Sequence, residues 1–418
     1  MSKSSFLNDK MTDKSNVALV CILGMFAGFL VSRAALSISM FLFGLNAIRD
    51  VPPKQWLKQR WWLMGLAWVA MFALSGLWSE DKGQWGDHLQ TKLPFLLLPL
   101  AFSYQPKFSV KHIQFFTISV AVMLLFAAGY TISIFLSDPV FYINEYKVSH
   151  MLPTLPKKDH IRSSMASALF IIWCVYAWPQ MQGRRLKIIA GSCVLLLVAY
   201  IHILAAKTGL LSFYLFLGAW GVYLSFGKKK LLGIMVIVAM PVVMFLAVRM
   251  LPTLRERIVY IGYTIFMYQH NERTDNLGDV ARLVSYKLSA QLIAAHPMTG
   301  VGGGDMKSAM DSMYQQYYPQ TDEHGRLLPH NQFLVVGLGC GIPAMIVFIA
   351  WVFWPLTKMR RNRQSFFFFI VWFILFIQLM IEPVLEVQFG VFVYLFFLLL
   401  HLQELGETKE QQVAAITE

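Results

Sequence analysis

The chain has 418 residues, of which 57% are hydrophobic and 14% charged, and its mean hydropathy is +0.54. A soluble globular chain is nearer half apolar and a quarter charged, so this composition excludes a soluble protein and points to one that crosses a membrane repeatedly. The formal net charge of +13 would suit nucleic acid. Much of it falls in short connectors between apolar runs, where it orients a membrane protein instead, so no nucleic-acid partner is expected.

Residues 1–16 are polar and hold Lys3, Lys10 and Lys14. The first apolar run leads straight into a second with no small-residue cleavage site, so it is expected to stay as an anchor. Windows matched to one bilayer crossing predict about twelve helices, at 17–31, 33–48, 61–78, 88–104, 112–136, 162–179, 186–204, 207–226, 230–249, 330–355, 365–381 and 388–403. The predicted fold class is therefore all-α and polytopic.

Alternate connectors carry Arg49, Lys54, Lys58 and Arg60; Lys107 and Lys111; Arg184, Arg185 and Lys187; Lys228 to Lys230; and Lys358, Arg360, Arg361 and Arg363. Asp50 is the one acid among these sixteen basic residues. The positive-inside rule makes that face cytoplasmic, with both termini on it. The opposite face receives 79–87, 136–161, the corner Ala205 to Gly209, the long stretch 250–329, and 382–387. In domain terms, residues 1–249 are the first nine membrane helices and 250–329 a large extracytoplasmic loop. Residues 330–404 are the last three helices, and 405–418 a cytoplasmic tail.

Within the long stretch a helix-like run from Asp279 to Ala295 is stopped by His296-Pro297 and followed by Gly300 to Gly304. That glycine run has neither the Gly-Lys-Ser/Thr nor the preceding strand of a phosphate loop, so it reads as a mobile turn. Cys21, Cys174, Cys193 and Cys340 all fall in apolar runs without CxxC or CxxH spacing, which suits helix packing and neither a disulfide framework nor a metal. There is no internal repeat.

The chemically suggestive side chains share the outer face. His330, at the mouth of the span from 330 to 355, opens a polar notch with Asn331 and Gln332. An imidazole there can take a proton from an incoming hydroxyl near neutral pH. Arg282 shares one side of its helix with Tyr286 at i, i+4, while Val280, Leu283, Val284, Leu288 and Ile293 can face apolar surroundings. A solvated arginine is the plainer reading. Lys207 lies between two apolar helices and reads equally as a snorkelling boundary lysine. Arg162 follows Lys157, Lys158 and His160, where interfacial charge is ordinary. Converging arginine and lysine would suit a pyrophosphate and would balance charge on a departing one. Glu382 and Glu386, at i, i+4 beside Pro383, either pair with these cations, orient His330, or belong to a solvated turn. His150, His160, His270, His296 and His324 share this face with Asp305, Asp322 and Glu323 without metal-site spacing, so no metal is expected.

Three pieces together resemble the O-antigen ligase family of bacterial envelopes. His330-Asn331-x-x-Leu334, six residues and Gly341 fit its histidine signature. Arg282-x-x-x-Tyr286, then His296-Pro297 and Gly300-x-Gly302-x-Gly304, is similar to its Arg-x-x-x-Trp followed by Pro-x-x-Gly-x-Gly. Lys207-Thr208-Gly209 lies where the family has Ser-Arg-Gly or Thr-Arg-Ser-Gly. About twelve spans with one large loop before the histidine span also match. Tyr286 replaces the usual Trp, and Lys207 the usual Arg, which keeps charge but forfeits bidentate geometry.

The resemblance implies a multi-pass enzyme of the bacterial inner membrane with its active site facing the periplasm. It would move a glycan from undecaprenyl pyrophosphate to a sugar hydroxyl of lipid A–core, inverting the anomeric centre. His330 would be the general base, with Arg282 and Lys207 holding the pyrophosphate. Arg162, Asn331, Tyr286, Glu382 and Glu386 are the expected substrate contacts. Its partners are the lipid-linked donor, the lipid A–core acceptor and membrane lipids. No cofactor and no metal are implied, because the leaving group is already activated. The alternatives are an O-antigen polymerase and an enzyme placing the same glycans on protein. A transporter or flippase would show interrupted helices and charges near mid-membrane, repeated between two halves.

Overall fold

The computed structural model describes residues 3–148, 150–155, 159–270 and 278–405. Lys157, Lys158 and the expected tail beyond 405 lie outside the described residues. Every regular element among those described is helical. In chain order they are α1 (Lys3–Val31), α2 (Arg33–Ile48), α3 (Pro53–Trp56), α4 (Arg60–Ser75), α5 (Lys82–Lys92) and α6 (Pro94–Tyr104). Then come α7 (Val110–Ser137), α8 (Pro139–Lys147), α9 (His160–Ala177), α10 (Arg184–Leu204), α11 (Lys207–Ser225) and α12 (Lys230–Met250). The chain continues through α13 (Pro252–Gln269), α14 (Gly278–Ala295), α15 (Met306–Tyr317), α16 (Gln332–Phe353), α17 (Arg363–Ile381) and α18 (Gln388–Leu405).

Among the described residues, nine helical stretches are long and apolar enough to cross a membrane: 13–31, 110–137, 160–180, 184–204, 207–225, 230–250, 332–358, 363–381 and 388–405. The apolar helices α2 and α4 are shorter. The protein is an all-α, multi-pass membrane protein.

The expected single helix over 88–104 is instead two. Asp81 caps α5, its carboxylate accepting from the Gln84 backbone N–H at 2.8 Å. The helix stops at Leu93 because Pro94 has no N–H to continue it and serves better as the first residue of the next helix. Lys92, at the end of α5, is thereby brought into the interior at 1% exposure.

The helices divide into two compact units, one of Met1–Asp50 with Ser103–Tyr260, the other of Val51–Phe102 with Ile261–Glu418. In the first, α9 is the most enclosed span, with its run from Ser163 to Cys174 buried against α7, α10 and α11. Small serines and alanines in that run let its neighbours close in. By contrast α12 packs chiefly on α11 and leaves Leu231, Met235, Val238 and Val242 exposed, as a lipid-facing helix would.

In the second unit an aromatic cluster of Trp68, Phe95, Phe348 and Trp351 joins α4, α6 and α16, with Trp68 and Phe95 ring centroids 4.8 Å apart. The expected continuous span from 330 is broken within α16. Gly341 adopts φ 81° and ψ 176°, a conformation essentially confined to glycine. Pro343, two residues on, supplies no N–H, and the Ile342 N–H turns away to the Pro297 carbonyl at 2.8 Å. The helix carbonyls of Leu338 and Gly339 accept instead from Val301 at 2.8 Å and Gly302 at 3.2 Å.

The glycine run expected to be a mobile turn is therefore a buried strap across the break. Gly300, Gly302, Gly303 and Gly304 are all buried. The Gly303 and Gly304 N–H groups donate to Ser75 Oγ and Ser79 Oγ at 3.1 Å each. Next to them the Asp305 carboxylate accepts from the Glu80 and Asp81 N–H groups at 2.8 and 2.9 Å. Non-helical backbone inside a membrane protein persists where protein groups satisfy it, as here.

Candidate functional site

The site is built on α14, the head of α16 and the turn after α17. Leu288 and Ile293 of α14 pack into one cluster with Met306, Met310 and Tyr314 of α15 and Val335 and Leu338 of α16. Leu283, expected to face apolar surroundings, is 54% exposed. The helical register then presents Arg282 and Tyr286, one turn apart, to the segment that opens α16. Tyr286 donates its hydroxyl to the His330 carbonyl at 2.6 Å.

Asn331 is the N-cap of α16, its Oδ1 accepting from the Phe333 and Leu334 N–H groups at 2.9 and 3.2 Å. Its Nδ2 donates to the Met380 carbonyl at 3.3 Å, near the end of α17. His330 immediately precedes this cap. Its Nδ1 lies 3.1 Å from Glu382 Oε2, while Arg282 Nη2 donates to Glu382 Oε1 at 2.7 Å. Facing a carboxylate oxygen, Nδ1 is the donor of this pair, which leaves Nε2 as the outer edge of the ring. Nε2 has no protein partner among the described residues, and the ring is 23% exposed. Glu382, at 3% exposure, is no solvated turn residue.

Four residues further, beyond the end of α17, the Glu386 side chain is 7% exposed. Gln332 donates to its Oε1 at 2.7 Å, and Gln332 Oε1 accepts from the Leu385 N–H at 2.8 Å. Glu386 Oε2 lies 2.9 Å from Lys92 Nζ and 3.2 Å from His88 Nδ1. Burial alone would raise the Glu386 carboxyl, but Lys92 and His88, with the Gln332 amide, hold it well below the usual carboxylate range. The Lys92 ammonium also lies over the Phe72 ring, 4.3 Å from its centroid. Lys92, His88 and the role of Gln332 were not legible in the sequence. The available signal was a single lysine set directly before an apolar run that opens Leu93-Pro94.

Arg162 and Lys207 lie together in the other unit. Each is in the first turn of its helix, α9 or α11, and those turns are joined by Ser164 Oγ and Thr208 Oγ1 at 3.2 Å. Gly209 has no room for a side chain, since a Cβ there would meet Ser164 at 2.5 Å. Arg162 Nη1 is 3.5 Å from Asp159, and its Nε is buried without a hydrogen-bond partner among the described residues. Lys207 is half-buried at the corner where Ala205 takes a left-handed conformation, φ 50°. The two cations thus sit in the first turns of neighbouring helices, with Asp159 beside Arg162.

Six of the eight candidate residues, Arg282, Tyr286, His330, Asn331, Glu382 and Glu386, thus form one hydrogen-bonded constellation, and the remaining pair forms a second group. All four cysteines are buried and outside any disulfide. No curated protein matches the chain. Residues 160–349 match the family model described as O-antigen ligase, a stretch running from the first turn of α9 into α16 and taking in Arg162, Lys207, Arg282, Tyr286, His330 and Asn331, and over that stretch the chain is similar to this family.

Proposed function

We propose that the chain is a glycosyltransferase of the bacterial inner membrane that moves a glycan from undecaprenyl pyrophosphate to a hydroxyl of lipid A–core on the periplasmic side. His330 Nε2 takes the proton of the acceptor hydroxyl as its oxygen forms a bond to the anomeric carbon. The bond from that carbon to the diphosphate oxygen breaks, and the electron pair leaves with undecaprenyl pyrophosphate. Attack opposite the leaving group inverts the anomeric centre.

The observation that carries this reading is the shared carboxylate of Glu382, 2.7 Å from Arg282 and 3.1 Å from His330. Before transfer the three groups sum to no net charge. Once Nε2 is protonated they carry one positive charge, at the moment when negative charge builds on the leaving diphosphate. Arg282 contributes a planar donor set suited to phosphate, and Tyr286 and Asn331 hold the histidine segment in place. Arg162 and Lys207 are proposed as phosphate contacts, and a phosphate oxygen would satisfy the buried Nε of Arg162.

The test is transfer by purified protein from a lipid-linked glycan to rough lipopolysaccharide. His330→Ala should abolish the joined product while expression and melting behaviour stay as in the wild type. Full activity in that variant removes His330 from the chemistry. Retained anomeric configuration in the product overturns single-step displacement. In the host, loss of the protein should leave uncapped core; a single repeat unit on the core would instead indicate a polymerase.

A further inference from the structure

Lys92 and Glu386 form a buried ion pair that the transfer chemistry does not use. Their side chains are 1% and 7% exposed. Desolvating such a pair offsets most of its attraction, and an apolar pair of equal volume often serves stability as well, so stability alone is weak grounds for having one here. Its surroundings supply a reason. Three consecutive residues at the head of α16 each reach the turn from 380 to 386. His330 meets Glu382, Asn331 meets the Met380 carbonyl, and Gln332 meets both Glu386 and the Leu385 N–H. Two of these anchors are tied to a further element: Glu382 to Arg282 of α14, and Glu386 to Lys92 and His88 of α5.

We infer that Lys92, Glu386 and Gln332 are positioning residues, a clasp that fixes the register of His330 against Glu382 by locking the head of α16 to the turn after α17. The inference rests on the proposed transfer reaction. Glu386 must be ionised to accept from Lys92, His88 and Gln332 together, and Lys92 supplies the compensating charge that keeps it so without solvent. Gln332 transmits the constraint, because its amide holds Glu386 with one atom and the Leu385 backbone with the other. None of the three needs to touch substrate. Their effect falls on the rate of the chemical step, since displacing a base by an ångström is enough to cost on the order of 100-fold.

The experiment compares wild type, Glu386→Gln, Gln332→Leu, Lys92→Met, Lys92→Arg and the double variant Lys92→Met/Glu386→Gln in the same full-length protein. Glycan transfer is measured together with amide hydrogen exchange in 330–333 and 382–387. Glu386→Gln, Gln332→Leu and Lys92→Met should each lower kcat by on the order of 100-fold with the KM for donor unchanged. They should also speed exchange in those two segments and leave the rest of the second unit protected. Lys92→Arg should restore most of kcat. The double variant, which buries no lone charge, keeps the test open if a single variant fails to fold; it should fold and still be slow. Folded variants with wild-type kcat, or with unchanged exchange in both segments, overturn the clasp. A rise in KM with kcat preserved does the same, by making these residues substrate contacts. If His330→Ala transfers glycan normally, the reaction reading falls, while the exchange arm still decides whether the clasp exists.

Discussion

Glu382 and His330, 52 residues apart in sequence, meet through Oε2 and Nδ1 at 3.1 Å. That bond selects the ring tautomer, directs Nε2 outward and stabilises the imidazolium once a proton arrives. Glu382→Gln keeps the shape and a hydrogen-bonding oxygen but loses the charge. Transfer should fall about 100-fold or more, within the range that a general base contributes. Steady-state kinetics at saturating acceptor measure it; an unimpaired Glu382→Gln enzyme would mean the carboxylate only holds the ring.

Arg282 is shared between Glu382 and the exposed side of the site, so charge and planar geometry can be separated. Arg282→Ala leaves a carboxylate at 3% exposure without its strongest partner and should lower both stability and donor use. Arg282→Lys should recover stability and only part of the transfer rate, because an ammonium cannot bond a phosphate and Glu382 in one plane. Melting temperature and kcat/KM for the donor, measured side by side, separate the two effects.

Lys207 keeps charge where the family pattern has arginine. If it contacts phosphate, Lys207→Arg should match or exceed wild-type kcat/KM for the donor, and Lys207→Met should lower it. For Arg162, Arg162→Lys discards the buried Nε and should raise donor KM with little change in kcat. Donor kcat and KM both unchanged in these variants would count against a phosphate role.

Gly341 sets the break in α16. Gly341→Ala places a Cβ 2.5 Å from the Met298 backbone in a conformation that L residues avoid. The expected loss is about 1–3 kcal/mol from strain alone, with more from the clash. Thermal unfolding in detergent reads it, and Gly337→Ala, at helical φ in the same helix, is the milder comparison.

The Glu386 carboxyl is held below its usual range, so the folded state binds fewer protons there than the unfolded chain. Its contribution to stability is complete well above about pH 4.3, the ordinary glutamate value, and declines as pH falls below it. The melting-temperature gap between wild type and Glu386→Gln should therefore be widest near neutrality and narrow on acidification. A gap that widens in acid contradicts the ion pair.

Much of the architecture was legible in the sequence because long apolar windows bounded by basic connectors have few other meanings in a membrane protein. The helix from Asp279 to Ala295 was legible from its stop at His296-Pro297, and it appears as α14. The constellation around His330 was legible in part, since the spacing of Arg282 and Tyr286 put them on one face and Glu382 lay at the end of a span. What escaped depends on partners far away in sequence. Lys92 is an ordinary boundary lysine until Leu93-Pro94 turns the chain, and Glu386 lies 294 residues from it. The glycine run looked unattached because its partners are a helix carbonyl more than thirty residues later and two serine hydroxyls more than two hundred residues earlier, although Gly341 and Pro343 did mark where that helix could break.

The strap over Gly341 has an evolutionary and engineering corollary. Since backbone upstream of α16 completes that helix's own ladder, the segment from 297 to 305 and the helix from 332 to 353 cannot drift independently. Chimeras that graft a foreign segment between α12 and α16 onto this scaffold should fail at the join unless the strap and α16 travel together.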